Sequence, residues 1–201
     1  MHPAPSFKVT DRDRLLAHLR RYPFATLAAA PDGRVLMAQA PLMVRELDSG
    51  LVIDFHLSTN NSLASAIANG FSACLVSAGP DAYVSPDWYV AADQVPTWNY
   101  VSVEAEGQVS PLDEAATIAL LDDLSAQVEA RLAPKAPWTR HKMSPGRFEA
   151  MLRGIVGARL TVQRLEGTFK LSQNKSAPDL AGVVAALGDH PVARLMGGDE
   201  A

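Results

Sequence analysis

The chain has 201 residues, of which 48% are hydrophobic and 20% charged, and its formal net charge at neutral pH is -4. This composition is typical of a globular protein with a core of its own, and it disfavours proteins that bind nucleic acid through a strongly basic face. No apolar run approaches the ~20 residues that span a bilayer, and the N-terminal residues lack the apolar core of a signal peptide, so we expect a cytoplasmic protein without membrane contact.

Motifs for metal or nucleophilic chemistry are missing from the sequence. The single cysteine, Cys74, cannot form an internal disulfide, and the five histidines are scattered along the chain. The sequence contains no HExxH, paired Cys-x-x-Cys, G-x-G-x-x-G, P-loop or G-x-S-x-G motif. We therefore expect no metal site, and a hydrolase is disfavoured.

The N-terminal segment predicts a helix. Leu15, Leu16 and Leu19 recur at helical spacing, and Thr10 followed by Asp13 three residues later forms a weakened capping box. The helix is expected to end before Pro23, because the residue preceding a proline disfavours helical geometry.

Six strand-like runs follow, separated by residues typical of turns. A short helix, NSLASAIANG, falls between the third and fourth runs, and Gly79 with Pro80 is expected to end the fourth. Short antiparallel strands with helices between them predict a mainly β, α+β fold in which a small barrel removes exposed strand edges. The runs are FATLAAA, VLMAQAPLMV, LVIDFHL, FSACLVSAGP, NYVSVEAEGQV and IVGARLTVQRLEG.

Two helical regions complete the predicted single domain, 1–201. One is inserted at about 112–153, and the other forms a C-terminal tail at about 178–201. Ser144 and Pro145 are expected to open the second helix of the insertion. An apolar stripe on its first helix is expected to lie against the sheet. The stripe consists of Leu121, Leu124, Val128 and Leu132.

Polar side chains collect at two strand ends. His56, Ser58, Thr59 and Asn61 lie directly before the short helix, where hydroxyls, amides and free N–H groups suit a phosphate. An ordinary helix cap is the alternative, because Ser, Thr and Asn cap helices without any ligand. The second cluster follows the last strand and has a solvated loop as its alternative. It consists of Lys170, Ser172, Gln173, Asn174 and Lys175.

Aromatic side chains are concentrated in the segment PTWNY. Trp98, Asn99 and Tyr100 stand directly before the best alternating strand of the chain. A flat ligand at the strand end would use an aromatic face and an amide, whereas core packing would also explain large aromatics with a polar tip. Core packing explains Tyr100 at least as well.

A stretch within the helical insertion is basic although the chain is acidic. Its prolines predict a loop, so solvated charge is the favoured interpretation. Contact with phosphate or DNA is the alternative, and neither the net charge nor a helix-turn-helix pattern supports it. The basic residues and histidine are Arg131, Lys135, Arg140, His141, Lys142 and Arg147.

Motifs spread over nearly the whole chain carry a family resemblance. FKVTDRDRLLAHLRRYPFATLAA opens the chain, and AYVSPDWY, VPTWNYVSVEAEGQV, LLRGIVGARLTVQRLEGTFKLSQNKS and DLAGVVAAL follow in this order. With VPTWNY and KLSQN as its specific parts, the chain resembles the PaiB-type FMN-binding negative transcriptional regulators, a branch of the FMN-binding split-barrel group. The resemblance implies a six-stranded antiparallel split barrel, a homodimer with FMN at the subunit interface, and transcriptional repression.

The resemblance also assigns cofactor-binding residues, with two departures. The family tends to have histidine two residues before the strand proline and arginine after H-x-A, whereas this chain has Gln39 and Thr59. Replacing arginine removes a charge-assisted hydrogen bond worth about 1.5–3 kcal/mol, so FMN affinity is expected to fall. With Ser58 and Thr59 of the pre-helix cluster, the predicted site comprises Pro41, His56, Asn61, Trp98, Asn99, Lys170, Ser172, Gln173 and Asn174.

Three functions stay open at this point. The protein is expected to be an FMN-binding regulator acting through DNA or a partner protein, and an FMN-dependent oxidoreductase of small molecules is the first alternative. The second alternative is a flavin-free relative that binds another small ligand in the same cleft, which Gln39 and Thr59 favour. The sequence identifies no catalytic residue.

Overall fold

A computed structural model describes residues 4–198 of the chain. Seven strands lie in this part, and short 3-10 turns occur at Pro5–Phe7, Pro86–Trp88, Ala130–Leu132 and Arg140–Lys142. The strands are β1 (Lys8–Val9), β2 (Phe24–Ala29), β3 (Leu36–Leu47), β4 (Gly50–Ser58), β5 (Phe71–Val84), β6 (Thr97–Pro111) and β7 (Ile155–Lys170).

Six helices accompany the strands within the described residues. None of them is long and apolar enough to cross a membrane. Residues 199–201 of the predicted C-terminal tail lie outside the described part. The helices are α1 (Arg12–Arg21), α2 (Ala64–Ile67), α3 (Glu114–Glu129), α4 (Arg147–Leu152), α5 (Ala177–Leu187) and α6 (Pro191–Met196).

The strand order is closed, as the predicted barrel requires. β2, β3 and β4 form an antiparallel meander, β5 pairs with β2, and β7 pairs with β4. β7 also pairs with β6 at the other end of the order β1-β7-β4-β3-β2-β5-β6. Strands β2 to β7 therefore form a ring without a free edge, and β1 adds one short pairing to β7. The predicted six-stranded antiparallel barrel with helices is confirmed.

The chain divides into two compact units. Within the described residues, the first unit comprises 4–22, 77–104 and 165–198, and the second comprises 23–76 and 105–164. Strands β5, β6 and β7 contribute residues to both units. The single domain expected from the sequence stays a prediction.

Helix α1 belongs to the first unit and differs from the prediction at its start. Asp11, not Thr10, is the cap, because its Oδ1 accepts a hydrogen bond from the Arg14 N–H at 3.0 Å. The helix ends at Arg21, before Pro23, as predicted. Leu15, Leu16, His18 and Leu19 form its buried face.

Strand β5 continues beyond Gly79 and Pro80, where the sequence predicted its end. The glycine permits close packing inside the first unit. A Cβ atom at Gly79 would lie 2.5 Å from Val101 Cγ2 and 2.9 Å from His18 Cε1. Gly79 thus marks a close approach to α1 and β6 within the strand, not a strand end.

In the second unit, α3 lies against the meander as predicted, but of the predicted stripe only Leu124 belongs to the buried cluster. Met43 of β3 forms a buried cluster with Leu120 and Leu124 of α3, whereas Val128 and Leu132 are 42% and 50% exposed. The helix therefore faces the sheet through Leu120 rather than Leu121. Its last turn extends beyond the packed region. Helix α2 is likewise shorter than NSLASAIANG, with a single turn at Ala64–Ile67.

A buried carboxylate links three strands and α3 of the second unit. Asp54 on β4 is 1% exposed and accepts hydrogen bonds from Arg159 Nε at 2.7 Å and Arg45 Nε at 2.9 Å. Arg45 of β3 also donates to Asp123 of α3 at 2.6 Å. Because Arg159 lies on β7, one side chain fixes the positions of β3, β4 and β7.

Replacing this carboxylate is expected to destabilise the fold strongly. Asp54→Ala leaves the guanidinium groups of Arg45 and Arg159 without their shared partner, and breaking a buried pair in this way costs about 3–5 kcal/mol. Chemical denaturation measures the change in the free energy of unfolding. The control is Asp48→Ala, which changes an exposed aspartate in the β3–β4 turn and is expected to have little effect. Equal stability of the two variants would show that the network contributes little.

Candidate functional site

The predicted site residues fall into two groups, one in each unit. We call the group in the second unit the β4 cluster; it consists of Pro41, His56, Ser58, Thr59 and Asn61. We call the group in the first unit the β7 cluster; it consists of Trp98, Asn99, Lys170, Ser172, Gln173 and Asn174.

His56 of the β4 cluster lines a cavity beneath the helical insertion. The cavity has a volume of about 300 Å³, and an adjoining cavity of about 290 Å³ is lined by His56 and Pro41 together with residues of α3. Apolar side chains dominate the first cavity, which suits a flat, largely apolar ligand. They include Leu121, Trp138, Met143, Phe148, Met151, Leu152 and Ile155.

The His56 ring is neutral in this setting and has a polar atom without a partner. Burial lowers the pKa of His56 below its ordinary value, so the imidazole is uncharged at neutral pH. Its Nδ1 atom is buried and makes no hydrogen bond within the described structure. A buried polar atom without a partner is costly unless something else satisfies it. The ring can therefore form a hydrogen bond with a neutral ligand, but it offers no charge to an anion.

The segment after His56 provides few donors for a phosphate. Thr59 directs both its backbone N–H and its hydroxyl to the Gly154 carbonyl, at 3.0 and 3.3 Å. Asn61 accepts a hydrogen bond from the Leu63 N–H at 2.9 Å through its Oδ1. Residues 56–62 contain neither Lys nor Arg, and α2 is too short to add a substantial helix dipole. The β4 cluster thus suits an apolar ring better than a phosphate dianion.

Neighbouring residues of PTWNY point to opposite faces of β6, as strand geometry requires. Trp98 is 55% exposed and packs edge-to-face against Tyr83, with ring centroids 6.1 Å apart. Asn99 is fully buried. Trp98 therefore presents an accessible aromatic surface, whereas the Asn99 side chain is enclosed within the first unit.

Asn99 holds the backbone of the β7 cluster from within. Its Nδ2 donates to Ser172 Oγ at 2.8 Å and lies 3.4 Å from Met196 Sδ, while its Oδ1 is buried without a partner in the described structure. Ser172 is buried and has φ +60°, a left-handed conformation that is unfavourable for a residue with a Cβ. Asn99 is thus a positioning residue for the turn that follows β7.

Gln173 also stabilises this turn, whereas Asn174 is exposed. The Gln173 Oε1 accepts from the Leu171 N–H at 2.7 Å, and its Nε2 donates to the Phe169 carbonyl at 2.6 Å. The same Nε2 reaches the Ser6 carbonyl at 3.2 Å. With these contacts, Gln173 fixes the end of β7 to the N-terminal segment.

Two lysines give positive charge to the region of the β7 cluster: Lys170 within it and Lys175 directly after it. Lys170 donates to Thr97 Oγ1, and burial together with the charge of Lys175 lowers its pKa. Lys175 donates to Gln94 Oε1 at 2.6 Å and lies 4.8 Å from the centroid of the Tyr89 ring. Within residues 4–198, neither ammonium group forms an ion pair with a carboxylate. This half-buried pair of lysines is a suitable partner for an anion.

The basic stretch of the insertion is partly neutralised inside the second unit. Arg140 pairs with Asp122 at 3.0 Å and lies 4.9 Å from the centroid of the Phe148 ring. Lys135 pairs with Glu129. These contacts favour the interpretation of solvated and locally paired charge.

Sequence reasoning missed the walls of the His56 cavity. Trp138 and Met143 belong to a Pro-rich basic loop, and their contribution to the His56 cavity depends on how that loop folds back onto α3. No local pattern encodes this contact. Lys175, by contrast, belongs to the second polar cluster predicted from the sequence, but the family resemblance did not assign it to the cofactor site.

Comparison with known proteins supports the sequence resemblance. Residues 1–164 match the family described as putative FMN-binding domain. The protease synthase and sporulation protein PAI 2 of Bacillus subtilis (strain 168) is 28% identical over 192 residues, which are 94% of this chain and 91% of that protein.

Solved structures share the fold at lower identity. The FAD and heme binding protein from Mycobacterium smegmatis has a TM-score of 0.61 and 20% identity, covering 92% of this chain and 82% of its own. The flavocytochrome Anf3 from Azotobacter vinelandii has a TM-score of 0.61 and 16% identity, covering 89% and 73%. At these sequence identities, the structural similarity shows a shared fold and no more. Because the family match extends over residues 1–164, the chain belongs to the putative FMN-binding domain family, in its PaiB-type branch.

Proposed function

We propose that this protein binds FMN, with the isoalloxazine ring in the His56 cavity. The observation that carries the proposal is the buried, unpartnered Nδ1 of His56 in an apolar cavity of a chain whose family is described as FMN-binding. A neutral imidazole can form a hydrogen bond with the polar edge of a flavin, and the apolar walls exclude water. Bound FMN would supply hydride or single-electron transfer.

The charged groups near the two clusters differ. At the β4 cluster, the cavity is mainly apolar and contains the neutral His56 ring, and its one lining cation, Arg140, is paired with Asp122. At the β7 cluster, Lys170 and the adjoining Lys175 form no ion pair with a carboxylate within the described residues. We assign the isoalloxazine ring to the His56 cavity. Asn99 and Gln173 contribute by holding the turn that carries Lys175.

We further propose that the protein is a homodimer and acts as a regulator, as the family resemblance implies. The acidic net charge of -4 opposes strong direct binding to DNA, so we favour regulation through a protein partner. An FMN-dependent oxidoreductase is the alternative. A salt-dependent DNA mobility shift would contradict the partner route, and turnover of a small-molecule oxidant by the FMN-loaded protein would support the enzyme.

Sedimentation tests the cofactor and the dimer together. The purified protein, mixed with FMN, is expected to sediment as a dimer at micromolar concentration, and the visible flavin absorbance should move with the protein boundary. Sedimentation as a dimer and co-migration of the flavin absorbance are both expected if the dimer has a specific flavin site. A protein boundary without flavin would contradict FMN binding, and a yellow monomer would contradict the dimer alone.

Replacing Lys170 is expected to weaken FMN without unfolding the protein. Lys170→Ala removes one of two half-buried cations, and a charge-assisted hydrogen bond is worth about 1.5–3 kcal/mol, so affinity should fall roughly ten- to hundredfold. Fluorescence titration with FMN measures the loss. The control is Lys8→Ala on neighbouring β1, where the lysine pairs with Glu166 at 2.9 Å. Unchanged FMN affinity in Lys170→Ala would remove this lysine from the site.

Adding a cation after His56 is expected to strengthen FMN binding. Thr59→Arg restores the arginine that the family tends to have, and its guanidinium can pair with phosphate. The gain should shrink as salt is raised, and riboflavin, which lacks the phosphate, should gain little. Paired titrations with FMN and riboflavin on the wild type and the variant measure the change in affinity for each ligand.

Asn69→Arg is the matched control, because it adds the same charge at an exposed position after α2. It should leave both affinities unchanged. Equal gains for the two ligands in Thr59→Arg, or no gain for FMN, would show that Thr59 belongs to the local turn and that no phosphate lies near it.

A further inference from the structure

The loop between α3 and α4 forms part of the His56 cavity wall although none of its residues is buried. We call residues 130–146 the α3–α4 loop. Trp138 and Met143 of this loop line the cavity, and Trp138 also lines the adjoining one. In the described structure, every residue of the loop is exposed or half-buried. A segment with so few buried contacts can separate from the protein without unfolding the rest.

The α3–α4 loop and α3 carry opposite charges. Helix α3 contains Asp and Glu but no Lys or Arg, whereas the loop contains Lys and Arg but no Asp or Glu. Opposite charges on adjoining elements attract each other, and dissolved salt screens this attraction where the groups are exposed. The basic stretch noted in the sequence is therefore complementary to the helix that precedes it. The acidic residues of α3 are Glu114, Asp122, Asp123 and Glu129.

Glu129, the last residue of α3, fixes the position of Trp138. Its Oε2 accepts a hydrogen bond from the Trp138 backbone N–H at 2.9 Å, and the same oxygen pairs with Lys135 Nζ. Glu129 and Trp138 both line the cavity that adjoins the His56 cavity. Glu129 is thus a positioning residue, because it holds the backbone that carries one wall of both cavities.

Asp122 holds the α3–α4 loop at a second point, about two turns earlier on α3. Its carboxylate pairs with Arg140 Nε at 3.0 Å, and the Arg140 guanidinium lies 4.9 Å from the centroid of the Phe148 ring of α4. The side chains of Arg140 and Asp122 are 31% and 43% exposed. Solvent-exposed ion pairs are individually weak and are weakened further by salt. The closed position of the loop therefore depends on contacts that salt can loosen.

We propose that the α3–α4 loop is a lid over the His56 cavity, held closed on α3 by Glu129 and Asp122, and that its opening controls access to His56. The closed lid completes the apolar wall, and a closed wall excludes water from a ligand in the cavity. The identity of that ligand rests on the proposed function, since FMN would enter and leave through the open lid.

Chemical modification of His56 in the ligand-free protein tests access to the cavity. Diethyl pyrocarbonate acylates neutral imidazole rings, and mass spectrometry of the digested protein gives a rate for each histidine. Glu129→Ala should raise the rate at His56 about three- to tenfold, because the lid loses two weak contacts and opens more often. Asp122→Asn should raise it in the same way, and added salt should raise it in the wild type.

Two other histidines serve as references in the same samples. His141 is exposed and should react at a similar rate in the wild type and in every variant. His18 is fully buried and should stay unmodified as long as the protein is folded. If Glu129→Ala exposes His18, that variant is unfolded and Asp122→Asn decides the outcome.

Glu114→Ala is the matched control. Glu114 is exposed in the first turn of the same helix, about four turns from Glu129. Its replacement removes the same charge from α3 and should leave the His56 rate unchanged. Equal His56 rates in the wild type, Glu129→Ala and Asp122→Asn would overturn the lid. An equal rise in Glu114→Ala would also overturn it, because the effect would then come from the charge of α3 as a whole.

Riboflavin kinetics connect the lid to the flavin proposal. Riboflavin lacks the phosphate, so salt acts on the contacts of the lid and not on the charge of the ligand. In stopped-flow experiments, Glu129→Ala should raise the rates of association and dissociation together, whereas salt should raise both rates more in the wild type than in the variant. Faster dissociation alone would mean that Glu129 contacts the ligand, and it would overturn the lid.

The two experiments fail separately. If no flavin binds, the flavin proposal is wrong, and the modification rates of His56 still decide whether a lid controls the cavity. If flavin binds but neither Glu129→Ala nor Asp122→Asn changes access to His56, the flavin proposal stands and the lid is overturned.

Discussion

The carboxylate of Asp54 is the interaction on which the second unit depends. It joins the guanidinium groups of Arg45 and Arg159, and Arg45 in turn reaches Asp123 on α3. His56 follows two positions later and so lies on the same face of β4 as Asp54. The network that holds α3 on the meander therefore also positions the α3 residues that line the cavity with His56. Both the Arg45–Asp123 contact and the apolar cluster of Met43, Leu120 and Leu124 hold α3 against this face of the sheet.

Strand periodicity predicted most of the barrel, and it worked best where only one face of a strand is covered. On β6, the alternation of NYVSVEAEGQV corresponds to alternating burial. LVIDFHL behaves differently, because Ile53 and Phe55 are fully buried on one face while α3 covers Asp54 on the other. Its nearly continuous apolar character follows from being covered on both sides.

The errors of sequence reasoning came from contacts that no local pattern encodes. Gly79 and Pro80 are typical of a turn, but Gly79 serves a close approach to α1 inside β5. The stripe at Leu121 was displaced by one position because only tertiary packing decides which helical face meets Met43. Most residues of the two clusters were found as polar or aromatic side chains at strand ends, whereas Pro41 came from the family resemblance alone. Trp138 in the cavity wall is brought to His56 by the folding of a loop 82 positions further along the chain.

The hydrogen bonds of the buried Asp179 allow amide exchange to show how well ordered the first unit is near the start of α5. Its carboxylate accepts hydrogen bonds from the backbone N–H groups of Val90 and Ala91 at 2.8 and 2.9 Å, and its other oxygen accepts from Ser176. These two amide hydrogens can exchange with solvent only when the start of α5 separates from the loop before β6. Ser176 directly follows Lys175, so the exchange rates of Val90 and Ala91 register how firmly the turn after β7 is held. Slow exchange there would be the spectroscopic signature of an ordered β7 cluster.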